Sequence, residues 1–321
     1  MLVHFWGTRG SLPNSITAQL IREKLFSALR KSRDFELDSD EKINLFIDDE
    51  LPFSVSGSFG SNTSCMEIRD GKKFVVCDCG TGLRDFGNYI MSLAQQGKIN
   101  FPQTFHLFVS HLHWDHIQGF PFFVPAHIPG NKIKIYGFHS DMEQVFIDQQ
   151  KVRNFPLPLK DMLGDISFTV LDINKEHMIA GYTVTGMKQN HPGDSYGYCF
   201  EKPGKKIVYS SDAEHKQDSD SEEYSFIKFF RNADLLVFDA QYTLLDSIDT
   251  KENWGHSSNM LGVELSVRSN VKRLCLFHNE HTYDDEDLEK SLFDGRKYAK
   301  LYDKNYNLDV HMGYDGLEIE I

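Results

Sequence analysis

Six consecutive residues, His111-Leu112-His113-Trp114-Asp115-His116, hold three imidazoles and one carboxylate directly after the apolar run Phe105-His106-Leu107-Phe108-Val109. A short apolar run that ends in a polar cluster reads as a strand delivering its last residues to a sheet edge. Side chains alternate along a strand, so His111 and His113 can point the same way where the chain leaves the sheet, with Asp115 and His116 turning back beside them. Imidazole and carboxylate suit zinc and its first-row neighbours, and one ion cannot easily use all four ligands of so tight a loop. Two adjacent ions can. A lone His-x-His is common on solvated loops, so the motif needs the rest of the chain to complete it.

Other polar residues repeat this placement. Asp78 follows Phe74-Val75-Val76-Cys77, and His191 follows the run from Val184 to Asn190. Asp212 closes Tyr209-Ser210-Ser211, Asp239 follows Leu235-Leu236-Val237-Phe238, and His278 follows Leu274-Cys275-Leu276-Phe277. The ends of neighbouring strands are where an α/β protein gathers its functional groups.

Composition narrows the class. A chain of 321 residues can bury a large core. No apolar run approaches the roughly 20 residues that span a bilayer, and Met1 to Gly10 lacks a basic segment followed by an apolar one, so the expectation is a cytoplasmic protein without membrane association. Cys65, Cys77, Cys79, Cys199 and Cys275 form no Cys-x-x-Cys pair and read as reduced, buried thiols. The net charge of −13 disfavours long polyanions as substrates, since a nucleic-acid binder presents a basic surface. A small basic patch, or bound metals, can still hold one phosphate.

Leu2 to Trp6 reads as an opening strand and Gly7 to Pro13 as the turn after it, with Arg9 either a turn residue or a contact for phosphate or carboxylate. From Ile16 to about Ser32, Leu20, Ile21, Leu25, Ala28 and Leu29 recur at helical spacing. A second helical piece follows over Glu41 to Asp49, with Asp38 and Glu41 as a capping-box-like start. Together they predict a helical insert over about residues 15–52. Its apolar stripe must be buried against the parent domain or a second subunit, and core packing is the expected role. A hairpin is expected across Asp70-Gly71, then a helix with Leu83, Phe86, Ile90 and Leu93 on one face. Gly119 to Pro125 is an aromatic loop suited to walling a pocket or plugging the core.

The set His-x-His-x-Asp-His, then a lone His, a lone Asp and a last His, each at a strand end, resembles the metallo-β-lactamase fold superfamily. Phe5-Trp6-Gly7-Thr8-Arg9-Gly10-Ser11, Ser61-Asn62-Thr63-Ser64-Cys65 and Gly255-His256-Ser257-Ser258 look like its branch of ribonuclease Z and bacterial cyclic-nucleotide or cyclic-phosphate phosphodiesterases. The resemblance implies an α/β layered fold, an αββα sandwich, as a single hydrolase domain over 1–321 with the helical insert near its N-terminus. It implies that His111, His113 and His191 hold one divalent metal and that Asp115, His116 and His278 hold the other, with Asp212 as the bridge. Zinc is the first expectation and manganese the second, because nitrogen and oxygen ligands without sulfur accept several ions. Two metals roughly 3.5 to 4 Å apart lower the pKa of a shared water, which would attack phosphorus as hydroxide. In this branch an acidic residue partners the His of Gly-His-Ser, here Asp239 and His256, so that His256 serves as general acid for the leaving oxygen. Asp115 and Asp212 join that pair in the catalytic set.

The implied function is a phosphodiesterase for a small cyclic nucleotide or cyclic phosphate, with a homodimer expected from the resemblance. A ribonuclease Z-like endonuclease on RNA 3′ ends is the alternative, set second by the acidic balance and the lack of a basic, Gly-rich arm. A non-catalytic, metal-dependent nucleotide-binding protein is the third reading, disfavoured by the presence of both Asp239 and His256. Arg9, Asn62, His215 and His281 are candidate substrate contacts. His281 stands where relatives often carry a further histidine and Asp-Pro, and His215 lies three residues past Asp212.

Overall fold

Alternating and continuous apolar runs sort the strands into two layers. The computed structural model describes residues 1–71, 73–244, 253–303 and 308–321. One seven-stranded sheet holds β1 (Leu2–Gly7), β2 (Cys65–Asp70), β3 (Lys73–Cys77), β4 (Thr104–Phe108), β5 (Lys132–Gly137) and β6 (Asp165–Val170), with β14 (Glu318–Glu320) beside β1. The other runs β13-β12-β11-β10-β9-β8-β7, comprising β7 (His177–Ile179), β8 (Tyr182–Gln189), β9 (Ser195–Lys202), β10 (Lys205–Ser210), β11 (Leu235–Asp239), β12 (Arg273–Phe277) and β13 (Asp309–Met312).

The core lies between the sheets, where Val3, Phe5, Ile68, Val75 and Phe108 meet Phe200, Tyr209, Val237, Cys275 and Phe277. Helices cover both outer faces. On the first sheet, the helix Gly82–Gln95 lays down Leu83, Phe86 and Ile90 beside Met142 and Phe146 of the helix Met142–Gln149. On the second, Phe226 and Phe230 of the helix Ser225–Phe230 pack with Val263 and Leu265 of Asn259–Arg268, and with Leu288 and Ala299 of Asp285–Tyr302. With both faces covered, the central strand β11 is a continuous apolar run up to Asp239, and every residue of it is buried. All five cysteines are free and buried.

Strand direction fixes where function can gather. β3 and β4 are parallel, β10, β11 and β12 are parallel, and β8 shares their direction because both it and β10 run antiparallel to β9. Their C-terminal ends deliver Asp78, His111, His191, Asp212, Asp239 and His278.

Three local expectations are revised. The insert forms α1 (Ala18–Lys31), α2 (Asp40–Leu45) continuing into a π-turn over Phe46–Glu50, and α3 (Phe53–Ser56). The cap of α2 is Ser39, whose hydroxyl accepts from Lys42 N at 3.3 Å, while Asp38 pairs with the Lys42 ammonium at 2.8 Å. The aromatic stretch makes two 3-10 turns, Phe120–Phe122 and Val124–His127, and plugs the core through fully buried Phe120 and Phe123, with Phe122 facing outward.

His215 belongs to the outer layer of the second sheet. Its ring stacks on Phe238 at 5.3 Å and meets Phe226 edge-on at 4.7 Å, and the Tyr224 hydroxyl lies 2.5 Å from Nδ1. Burial lowers its pKa from 6.5 to about 4. The fold therefore keeps a neutral ring. Its contribution is complete above pH 6.5 and is lost as pH falls from there toward 4, to a ceiling of about 3 kcal/mol. Denaturant titrations in chelator between pH 7 and 4 should show a flatter decline for His215→Phe than for the wild type. Equal slopes would assign the acid sensitivity to other groups.

Candidate metal centre

Two clusters share one carboxylate. His113 Nδ1 and His191 Nε2 stand 3.1 Å apart, and with His111 their ligand atoms lie within 4.8 Å of one another. Asp115, His116, Asp212 and His278 form a second, fully buried group under the same limit. Asp212 joins the two. Its Oδ2 lies 3.5 Å from His111 Nε2, 3.8 Å from His191 Nε2 and 3.4 Å from His278 Nε2, and its Oδ1 lies 3.3 Å from His116 Nε2. Asp115 Oδ2 is 3.2 Å from both His116 Nε2 and His278 Nε2. His113 is exposed, so the site opens on that side.

Strand ends alone would not turn these side chains inward. Asp78, Asp212 and His278 have φ of 61°, 52° and 63°, a left-handed conformation that reverses the chain where it leaves the sheet. Such backbone costs of order 1–3 kcal/mol per residue and persists where the surrounding structure over-determines it. Gly10 and Gly255 permit close approach from outside. A Cβ on Gly10 would come within 2.6 Å of His278 Nδ1, and one on Gly255 within 2.4 Å of His191 Nδ1.

Neighbouring groups fix each ring nitrogen. Asp78 is wholly buried and accepts from Ser110 N at 2.7 Å, Ser110 Oγ at 2.8 Å, the Tyr209 hydroxyl at 2.7 Å and His116 Nδ1 at 2.7 Å. A carboxylate can only accept, so His116 carries its proton on Nδ1 and turns Nε2 to the cluster. His191 Nδ1 likewise donates to the Gly255 carbonyl at 2.9 Å. Ser110 and Tyr209 are the parts sequence reasoning missed; their only signal was adjacency to the His111 and Asp212 strand ends.

Charge balance identifies what the donors suit. Burial opposes charge throughout, yet Asp212, Asp115 and Asp78 outweigh it at His116 and raise its pKa well above the ordinary value. Burial is also outweighed at Asp212, which His116, His278 and His111 hold well below the carboxylate range. His278 rises to about 9 because Asp212 and Asp115 overcome its burial. His111 goes the other way, kept neutral by burial and by His116, and its buried Nε2 has no hydrogen-bond partner. Once His116 and His278 give up their extra protons, preoriented imidazole nitrogens around Asp212 and Asp115 are a donor set for divalent cations, with nitrogen and oxygen but no sulfur.

Beside the clusters stands His256. Its Nδ1 lies 2.9 Å from Asp239 Oδ2 and 4.0 Å from Asp212 Oδ2, and its ring stacks on His278 at 5.0 Å. Asp239 is wholly buried and also accepts from Ala213 N at 2.9 Å and Gln241 N at 3.2 Å, which anchors the pair.

The four candidate substrate contacts lie elsewhere or are already engaged. Arg9 is buried and donates to the carbonyls of Gly60, Glu280 and Tyr283 at 2.9, 3.0 and 2.9 Å, tying the first turn to the loop after β12. The Asn62 amide donates to Asp85 at 2.7 Å and to the Trp6 carbonyl at 3.3 Å. His215 sits in its aromatic box, and His281 pairs with Glu280 at 3.0 Å on a cleft beside the start of α1. Trp114, next to His113 and Asp115 in the chain, is 82% exposed.

The β-lactamase superfamily domain matches residues 73–279, which include all seven ligand candidates. Ribonuclease Z of Picrophilus torridus is 24% identical over 281 residues, covering 72% of this chain and 85% of its own. Among solved structures, the metallo-β-lactamase fold protein YhfI from Bacillus subtilis superposes with a TM-score of 0.63 at 18% identity, covering 100% of this chain and 98% of its own. A diphosphatase from the PhnP family gives 0.58 at 14% identity, covering 100% and 97%. The match over the ligand-bearing strands and the two-sheet architecture agree: this chain belongs to the β-lactamase superfamily, with the metallo-β-lactamase fold and ribonuclease Z among its sequence relatives.

Proposed function

We propose that the protein is a two-metal phosphodiesterase that opens a small cyclic nucleotide or cyclic phosphate. The observation that carries this reading is the Asp239–His256 pair, held at 2.9 Å beside two ligand clusters joined by Asp212. Hydrolysis of a phosphodiester must expel an alkoxide, and the pair supplies a positioned proton for it. Zinc or manganese in this donor set would supply an activated water and electrophilic contacts to phosphate oxygens.

The chain's own groups do the rest. Asp78 and the Gly255 carbonyl hold His116 and His191 with Nε2 forward, so little reorganisation is needed when substrate arrives. Asp239 accepts from His256 Nδ1 and leaves Nε2 to donate as the bond from phosphorus to the leaving oxygen breaks. His256 then recovers a proton from solvent. The charge of −13 supports a compact substrate over a long polyanion. Sequence similarity to ribonuclease Z supports the alternative, cleavage at an RNA 3′ end.

Assaying 2′,3′ and 3′,5′ cyclic nucleotides and a precursor transfer RNA, with zinc and then manganese, separates the two. Turnover of a cyclic nucleotide is expected; rapid cleavage of the RNA with none on any cyclic substrate would reverse the reading. His256→Ala should retain both metals by elemental analysis and lose on the order of 10²- to 10⁴-fold in kcat with an alkoxide leaving group, but far less with an activated aryl ester. An unimpaired alkoxide rate in that variant would sink the acid assignment. Asp212→Ala should lose metal along with activity, and Asp78→Asn should weaken metal affinity roughly 10- to 100-fold while leaving the fold intact.

A further inference from the structure

Solvent meets the candidate metal centre along one rim. The two residues on either side of Asp78, of Asp239 and of His278 are all buried. Around the seven ligand candidates, Asp78 and the Asp239–His256 pair, the exposed residues within two positions are His113, Trp114, Asn190, Pro192, Gly193 and Trp254. His191 ties these stretches together. Its Nε2 lies 3.1 Å from His113 Nδ1, and its Nδ1 donates to the Gly255 carbonyl at 2.9 Å. The two nitrogens of an imidazole point to opposite edges of the ring, so His113-Trp114 and Trp254-Gly255 stand on opposite sides of His191. Trp114 is 82% exposed and Trp254 57%. An indole can bury roughly 150–250 Å², so two of them left more than half in solvent on one rim are a contact surface.

The leaving group says what such a surface would hold. In a cyclic nucleotide the oxygen expelled from phosphorus belongs to the sugar that carries the base. The acid that protonates it must therefore stand on the base's side of phosphorus. Trp254 is two residues before His256, so one indole and the assigned acid share a side, and Trp114 faces them across His191. The base is one sugar away from the phosphorus. Each indole is likewise one step beyond the site, since Trp114 adjoins His113 and Trp254 adjoins Gly255, with consecutive Cα atoms about 3.8 Å apart. The six exposed rim residues include no lysine or arginine, so phosphate recognition falls to the centre while the rim offers aromatic faces. Every nucleobase has a face that stacks on an aromatic side chain.

We infer that Trp254 and Trp114 form a base-binding subsite that takes the aromatic base of the substrate between them, so that the protein selects a nucleotide over a cyclic phosphate without a base. The inference rests on the phosphodiesterase reading above, and binding and turnover test the two separately. Titrating the zinc-loaded full chain with adenosine 5′-monophosphate should quench its tryptophan emission saturably, and ribose 5-phosphate should not. Turnover is compared between an adenosine cyclic phosphate and the methyl riboside cyclic phosphate of the same ring size. The ratio of kcat/KM for the first over the second should fall about 5- to 100-fold in Trp254→Ala and in Trp114→Ala, through KM for the nucleotide, and recover in the corresponding Trp→Phe variants. Base-dependent quenching without turnover of any cyclic phosphate would support the subsite and overturn the phosphodiesterase reading. Equal quenching by ribose 5-phosphate, or a ratio unchanged in both alanine variants, would overturn the subsite and leave that reading standing.

Discussion

Asp212 is the group on which the site depends. It is almost wholly buried, and four imidazoles from both sheets converge on its two oxygens at 3.3 to 3.8 Å. An isolated carboxylate at such depth costs several kcal/mol to desolvate, while each opposite charge at this distance returns about 5 kcal/mol at an effective dielectric near 20. The balance therefore requires cations. In the protein alone, raised His116 and His278 supply them, and their pKa values rise for that reason. His111 stays neutral with its Nε2 unpartnered, so protons answer the charge of the site without answering its geometry.

The two-sheet core makes this arrangement affordable in conformational terms. Left-handed backbone at Asp78, Asp212 and His278 sits within two residues of the ends of β3, β10 and β12, whose last four residues are all buried. A strand clamped by ladder hydrogen bonds on both sides and by packing on both faces can impose a conformation that a free loop would relax. Ser11, with φ of 60°, completes the rim by donating its N–H to Asp115 Oδ2 at 2.8 Å. The turn that leads into the helical insert is thus hydrogen-bonded to a candidate metal ligand.

Much of the fold was legible because Asp78, Asp239 and His278 each follow a short, nearly continuous apolar run, as a strand covered on both faces requires. The apolar runs before His111, Asp239 and His278 are β4, β11 and β12 almost residue for residue. The chain after Asp285 was less legible: β14 is three residues with one buried side chain, recognisable only by its pairing with β1. From sequence, Arg9 reads either as a turn residue or as an anion contact. Its fork is instead spent on carbonyls from two distant segments, a tertiary fact with no local trace. The helical insert shows the same divide, since spacing establishes that Ile21, Leu25 and Leu29 share a stripe but cannot say that Lys24 is the residue turned inward.

Acidity and the site's local charge work at different ranges. Asp212 faces both clusters and Asp115 the second, so two divalent cations would carry more charge than these two ligand carboxylates inside a chain of net charge −13. At physiological ionic strength charges are screened over about 8 Å. A phosphodiester whose charge lies within that distance of Asp212 would feel mainly the centre, whereas a polyanion reaching beyond it would meet the acidic exterior. The helical insert adds no continuous basic track to offset this, because Arg22, Arg30 and Arg33 are interspersed with Glu23 and Asp34 and followed by Asp40, Glu41, Asp48 and Asp49. Selectivity for a compact anion would then come from the contrast between a positive centre and a negative surround, without a dedicated pocket arginine.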